Sequence, residues 1–443
     1  MGRCGIRITS TGTTRDLLRL AAPLMLSNLA YTLLGVTDTL YMGRVGVAEV
    51  GAVGFASLSV LTVLLLFRGT LQTVTTFVAR SFGARDFGGV RRWYGVYLFL
   101  CLSGVPMALL GGPLLSLLFD LLRPDPAVRE LALTYGRIRL LEAPLNLLVI
   151  VNVGFLVGVG NARAPALLAW LTVALNALFA GVLVFGFGLG IAGAAWGTVG
   201  AVVVQAALSQ LMVWRLYGRE YGGLGPVVPR RGELARLLRV GGPSGLTDLG
   251  EVSAFNFFQG LISRLGPVEL AASTIANQFA SFGFLPAFAL ASATGSLLSR
   301  SLGAADPTLA RAVGWRGARL SILLMGGLAL LFVAAPRALL ELFTSSEKVI
   351  ALGVGVLRIM AAYQIFDGLA IVLGGALGGA GDTRFRLLVS LVGAWLVMVP
   401  TAGLLSARFG VTGAWLGALA YITLAAVAYL LRFQSGRWLR ARL

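Results

Sequence analysis

"ARSFGARD", residues 79–86, is answered by "SRSLGAAD" at residues 299–306, 220 positions later. The same spacing relates "LRLAAP" (18–23) to "LRVGGP" (238–243), "GRVGVAEV" (43–50) to "SRLGPVEL" (263–270) and "GLGIAGAAWG" (188–197) to "RFGVTGAWLG" (408–417). One slip interrupts it, where "VGVGNAR" (157–163) pairs with "GGAGDTR" (378–384). A fixed offset carried through a chain of 443 residues marks a duplication, so the fold is two copies of one unit.

Each unit is made of membrane-spanning helices. Hydrophobic residues make up 57% of the chain and charged ones 12%, with a mean hydropathy of +0.87, well beyond the average of water-soluble domains. About 20 apolar residues span a bilayer as helix. Twelve such segments are predicted, at 17–41, 48–79, 93–119, 133–160, 165–186, 190–214, 240–262, 269–299, 314–335, 350–379, 387–407 and 411–431. Six spans per repeat, an even number, give both repeats the same orientation, so a pseudo-two-fold along the membrane normal is expected between two parallel six-helix lobes. The expected organisation is an amino tail (1–16), an amino lobe (17–214), a linker rich in Gly, Pro and Arg (215–239), a carboxyl lobe (240–431) and a carboxyl tail (432–443).

The formal net charge of +18 raises nucleic acid as a partner, but the distribution of the charge answers otherwise. About 25 of the 36 Lys and Arg residues lie in the two tails and in the joins after spans 2, 4, 6, 8 and 10, counting span ends with their loops. Basic loops stay on the cytoplasmic side, which places both termini there in the inner, or plasma, membrane. The first fifteen residues are polar and basic and run into a full span without a small-residue cleavage site, so no signal peptide is expected. The partners implied are the lipid bilayer and a small-molecule cargo, with no nucleic acid and a monomeric working unit.

Several chemistries are excluded. Histidine is absent, which removes imidazole catalysis and histidine metal sites. Cys4 and Cys101 sit in unlike settings and suggest neither a disulfide nor a metal site. "GGALGGAG" (374–381) lacks the Lys-Ser/Thr that a phosphate loop needs. No nucleophile has a base neighbour, so the chain is not read as an enzyme, and no cofactor or resident metal is expected beyond a coupling H⁺ or Na⁺.

What remains are ionisable residues inside the spans: Asp38, Arg68, Arg137, Arg139, Glu142, Asp248, Glu251, Arg358 and Asp367. A charge at the bilayer centre costs roughly 2.5–3.5 kcal/mol even by insertion scales, so each must face protein or water. Asp38, in "LLGVTDTLYMG" (33–43), is the leading candidate, because a carboxylate away from bulk water can exchange a proton or trade it for Na⁺. The alternative is a structural acid held by Thr37 or Thr39. Asn176 and Thr198 offer oxygens to a cation at Asp38. In the second repeat, Asp248 and Glu251 share a helix face, and Asp367 follows Tyr363 and Gln364 by one turn, so a cation could sit between these acids, at Asp367 for Na⁺. Gln278 is a further candidate. The arginines are expected to snorkel or to neutralise acids such as Glu142.

Together these features resemble the multidrug and toxic compound extrusion family, over residues 15–435. The specific stretches are "PLMLSNLAYTLLGVTDTLYMGRVG", "VARSFGARD", "PSGLTDLGEVSAFNFFQGLISRLG" with "AASTIANQF", and "YQIFDGLAIVLGGALGGAGDTR". The amino-lobe motifs are similar to the DinF branch and the carboxyl-lobe motifs to the NorM branch. The resemblance implies export of cationic or amphipathic organic compounds in exchange for H⁺ or Na⁺ by alternating access of two lobes. It implies an amino-lobe ion site at Asp38, Asn176 and Thr198, and a carboxyl-lobe ion or substrate site at Glu251, Tyr363 and Asp367. Family members often carry a second acid one turn after the asparagine, where this chain has Ala180, which favours H⁺ over Na⁺ at Asp38. The alternative within the superfamily is a flippase for lipid-linked saccharides, for which more cavity arginines and often fourteen spans are expected.

Overall fold

The computed structural model describes residues 13–122 and 125–441, so Cys4, most of the amino tail and the last two residues lie outside it. Apolar runs leave the backbone no water to bond, and the chain answers with helices whose hydrogen bonds are internal. They are α1 (Thr14–Val45), α2 (Val47–Gln72), α3 (Val74–Gly83), α4 (Phe87–Leu100), α5 (Gly104–Leu122), α6 (Pro126–Leu140), α7 (Ala143–Gly158) and α8 (Arg163–Gly181). There follow α9 (Gly190–Tyr217), α10 (Arg231–Ser263), α11 (Pro267–Gly303), α12 (Pro307–Ala334), α13 (Pro336–Glu341), α14 (Glu347–Ala380), α15 (Thr383–Leu391) and α16 (Val399–Gln434). No strand occurs among the described residues.

All twelve predicted segments are helical over most of their length, with short breaks as at Thr73 and at Leu141 and Glu142. Among the described residues, nine helical stretches are long and apolar enough to cross a membrane, or ten when the pair α6 and α7, bent by 52°, counts as one span. The difference from twelve has two sources. The predicted segments 387–407 and 411–431 fall in one stretch of 52 residues, Thr383–Gln434, which breaks at Gly410 with φ 60°. The segment 240–262 lies in α10, whose Asp248 and Glu251 lower its apolar character.

The duplication recurs in local geometry. Asp86 and Asp306, 220 apart, each cap a helix by accepting from the amide three residues on, Gly89 N and Leu309 N, both at 2.8 Å. Arg85 and Ala305 just before them both hold φ 57°, the αL conformation that closes the preceding helix. Gly190 and Gly410 share positive φ, and short π-helical turns precede each, at Val182–Gly186 and Val392–Met398. The one-residue slip is kept as well, in Gly160 (φ 88°) and Gly381 (φ 90°).

The chain divides into two compact units, one of Leu26–Gly245 and one of the described residues up to Met25 with those from Leu246. The division falls just after Pro23 in α1 and just after Pro243 in α10, prolines that occupy matching places in the two repeats. Within the first unit small residues let helices approach closely, the usual packing device in lipid. A methyl added at Gly197 on α9 would fall 2.5 Å from the Ala180 backbone on α8. In the second unit Gly295 on α11 and Gly375 on α14 meet the same way, a methyl at Gly295 falling 2.7 Å from the Gly375 carbonyl oxygen.

The interhelical join is shorter than the predicted 215–239, since α9 runs to Tyr217 and α10 begins at Arg231. It lies along α4. Val227 N donates to Gly95 O at 2.9 Å, and the Arg92 side chain donates twice to Glu233, from Nε and Nη2, each at 2.8 Å.

Candidate functional site

α1 carries Asp38 into the interior of the first unit, where it is 3% exposed. Three helices supply its partners. Tyr135 on α6 donates its hydroxyl to Oδ2 at 3.0 Å, Thr198 on α9 donates to Oδ2 at 2.9 Å, and Asn176 on α8 donates Nδ2 to Oδ1 at 3.2 Å. The same Asn176 amide donates its other hydrogen to Thr198 Oγ1 at 2.9 Å, leaving the Thr198 hydroxyl hydrogen for the carboxylate or for Ala194 O at 3.1 Å. Asn176 Oδ1, fully buried, has no hydrogen-bond partner.

Local structure explains this convergence. The Gly197–Ala180 approach brings α9 against α8 one residue from Thr198 and one turn from Asn176, so the two polar side chains reach each other. Tyr135 sits in a core with Met42, Val60, Leu115, Phe119 and Ala194, which fixes its ring and aims its hydroxyl. Thr37 and Thr39 take no part, since each hydroxyl bonds its own helix, to Leu33 O at 2.9 Å and Gly35 O at 3.0 Å. The reading of Asp38 as an acid held by its neighbouring threonines is therefore overturned. No described salt bridge reaches Asp38 either, although Arg139 and Glu142 lie within its electrostatic range.

One turn below Tyr135, Arg139 stacks over its ring at 5.9 Å from the centroid and pairs through Nη1 with Glu142 Oε2 at 2.8 Å. Glu142 sits at the break between α6 and α7, where Pro144 interrupts the hydrogen-bond ladder, and is 1% exposed. Arg68 on α2 donates to Asn146 Oδ1 at 3.1 Å, one turn beyond Glu142. Arg139 thus neutralises Glu142, whereas Arg358 is exposed and Arg137, also exposed, bonds Ser116 Oγ at 3.1 Å.

The second unit holds the other acids. Glu251 on α10 accepts from Ser390 Oγ at 2.7 Å, with Tyr421 and Arg386 close by. Asp367 and Tyr363, one turn apart on α14, both lie within electrostatic range of Glu251. Asp367 is 4% exposed and its Oδ2 has no hydrogen-bond partner, as does the neighbouring Gln364 Oε1. Trp415 closes on Tyr363 edge to face at 6.0 Å. Asp248 is half-buried, one turn before Glu251. Gln278 departs from expectation. It is exposed on α11, because each helical residue turns about 100°, and the buried, unpartnered carbonyl oxygen on that turn belongs to Asn277.

Tyr135 and Ser390 were not singled out by the sequence, because α6 and α15 each carry several polar and charged residues and nothing marks these two among them. The only signal for Tyr135 was its place one turn before Arg139. No group of three or more metal-ligating residues occurs among the described residues.

An all-helical chain with membrane-spanning helices that buries acids such as Asp38, Glu142 and Asp367 in polar clusters has the build of a membrane transporter, and the comparisons with known proteins place it in that class. The MatE family model matches residues 23–195 and 243–404, and the chain belongs to that family. It is 35% identical to a protein of Deinococcus radiodurans described as a probable multidrug resistance protein NorM, over 97% of this chain and 98% of that one. A protein of the same description from Thermotoga maritima is 26% identical over 96% and 93%. Among solved structures, a MATE in the bent conformation superposes with a TM-score of 0.90 at 22% identity, covering 98% of both chains. An outward-facing multidrug resistance MATE transporter gives 0.88, also at 22% identity and 98% coverage.

Proposed function

We propose that the chain is a secondary antiporter that exports cationic or amphipathic organic compounds in exchange for H⁺, with Asp38 as the proton-exchanging group. The relatives named for multidrug resistance support the cargo class. The observation that carries the coupling is the Asp38 pocket, where donors from α6, α8 and α9 saturate one buried carboxylate.

In the ionised state Asp38 accepts all three bonds and ties α1 to those helices. A proton arriving on Oδ1 removes the negative charge and makes that oxygen a donor and a weaker acceptor, so the bond from the Asn176 N–H loses its charge assistance while the new O–H needs an acceptor. Rotation of the Asn176 amide meets that need by presenting its unpartnered Oδ1 to the new O–H, and it withdraws Nδ2 from Thr198. Protonation is thereby converted into a change in the contact between α8 and α9, the two-state element that alternating access requires. In the carboxyl unit, Glu251 and Asp367 supply negative charge, and the partnerless oxygens of Asp367 and Gln364 offer acceptors for an organic cation or Na⁺.

In this reading the working unit is a monomer in the inner membrane with both termini cytoplasmic. Its lobes, 17–214 and 240–431, are related by a pseudo-two-fold along the membrane normal and rock about the joining segment. The test is accumulation of a fluorescent organic cation in inverted vesicles, with ΔpH and a Na⁺ gradient imposed separately. The proposal expects ΔpH alone to drive transport and Asp38→Asn to abolish it while the protein still inserts. Transport driven by the Na⁺ gradient with ΔpH inert contradicts proton coupling.

A further inference from the structure

The Asp38 pocket contains a cation already. Arg139 holds Glu142 through Nη1 at 2.8 Å, lies over the ring of the tyrosine that bonds Asp38, and keeps its Nε buried without a partner. We propose that Arg139 is the ion-selectivity determinant of this site. Parked on Glu142 and stacked on Tyr135, it supplies the positive charge near Asp38 that a bound Na⁺ would otherwise bring, so that the pocket exchanges H⁺ and refuses Na⁺. This inference rests on the reading of Asp38 as the coupling group.

The argument is one of ligands and charge. Na⁺ must be wrapped by several oxygen lone pairs, whereas a proton needs one acceptor and no cavity. Here both Asp38 oxygens are occupied by N–H and O–H donors, and Asn176 turns its amide nitrogen, not its oxygen, towards them. The charged and titratable groups of the cluster are Asp38 from α1, Tyr135 and Arg139 from α6, Glu142 at the α6–α7 break, and Arg68 from α2, which acts on Glu142. With Asp38 ionised these comprise two carboxylates and two guanidiniums, so the cluster is balanced without a bound metal ion. Arg139 is the charge that acts most strongly on Asp38. A Na⁺ would enter against it at short range in a medium of low dielectric. No second acid can compensate at position 180. Ala180 is fully buried against Gly197, leaving no room for a carboxylate there.

Remove Arg139, and two carboxylates, Asp38 and Glu142, are left with Arg68 as the one guanidinium of the cluster, beside the oxygens of Tyr135, Thr198 and Asn176, an oxygen set suited to Na⁺. The experiment is the vesicle flux assay with ΔpH and Na⁺ gradients applied separately to wild type, Arg139→Gln, Arg139→Lys and the double variant Arg139→Gln/Glu142→Gln, the last removing both members of the Arg139–Glu142 ion pair so that Glu142 is not stranded. Asp38→Asn serves as the control. For wild type and Arg139→Lys, a Na⁺ gradient should change flux by less than about twofold. In Arg139→Gln, Na⁺ alone should drive flux at least about tenfold above background, and ²²Na⁺ should accumulate in step. The double variant should lose ΔpH selectivity while Asp38→Asn stays inactive. If Arg139→Gln and the double variant both transport on ΔpH and remain indifferent to Na⁺, the selectivity role is overturned, while the Asp38 reading stands. If wild type runs on Na⁺, or Asp38→Asn transports normally, the reading beneath it falls too, and those results are distinct from the first.

Discussion

Thr198→Val isolates the hydroxyl on which the amino-lobe pocket turns. Valine keeps the shape of threonine in a site that is fully buried, and removes an oxygen that bonds Asp38 Oδ2 and Asn176 Nδ2, both at 2.9 Å. Losing a hydrogen bond to an ionised group costs about 1.5–3 kcal/mol, and stranding the buried Asn176 N–H costs about 1–3 kcal/mol more. The two losses share Asp38 and Asn176 and do not add fully, so about 3 kcal/mol is the working figure, a factor of roughly 100 in the equilibrium between the two states of the pocket. Thr198→Ser keeps the hydroxyl and deletes one methyl, worth about 1 kcal/mol. In inverted vesicles normalised for inserted protein, ΔpH-driven uptake of a fluorescent cation should fall about 10- to 100-fold in the valine variant and less than about fivefold in the serine variant. Wild-type flux in Thr198→Val, or equal losses in both, would refute the hydroxyl's role and leave only a packing contribution.

Other consequences follow from the same contacts. Glu251→Gln and Asp367→Asn should each weaken export of organic cations by about tenfold while sparing a neutral cargo, as read from cargo competition curves. Gly197→Leu should force α8 from α9 at Ala180, cost about 1–3 kcal/mol in thermal stability, and abolish transport even though Asp38, Asn176 and Thr198 are unchanged. At the joining segment, the hydrogen bond from Arg92, followed by the amide of Arg230, holds the Glu233 carboxyl down at about 2, below the usual carboxylate range. Because its folded value is depressed, the contribution of this contact is complete above about pH 4.3 and is lost as pH falls from there through about 2. Arg92 is 30% exposed, so solvent screening weakens the contact. Glu233→Gln should therefore raise amide exchange in 218–230 about fivefold at pH 7, and wild type should approach that rate only in acid.

Much of this molecule was legible from its chain. The 220-residue echo located matching helix caps at Asp86 and Asp306 and matching breaks at Gly190 and Gly410, because capping and αL geometry depend on residues within a turn of the site. Even the one-residue slip survives, in Gly160 and Gly381. Asp38, Asn176 and Thr198 were identifiable as polar residues in apolar surroundings, and the structure gathers them. Tyr135 and Ser390 were not, since among the several polar residues of α6 and α15 a tyrosine or a serine gives no sign of which neighbour it meets. The phase of α11 around Gln278 was equally unmarked. One residue of rotation separates its exposed side chain from the buried Asn277 carbonyl, and hydropathy alone cannot set that phase. The role of Arg139 required geometry, because "GRIRLLE" does not say whether the arginine points to Asp38, to Glu142 or to lipid headgroups.

The most direct measurement follows both sides of the exchange at once. Purified protein in liposomes, loaded with a pH-sensitive dye and free of Na⁺, is given an organic cation on one face, and lumenal pH is recorded with cation flux. Wild type should move protons opposite to the cation, in fixed ratio and without Na⁺, and Asp38→Asn should move neither. Cation flux in wild type with no change in lumenal pH, or proton movement undiminished in Asp38→Asn, would contradict the assignment of proton exchange to that carboxylate.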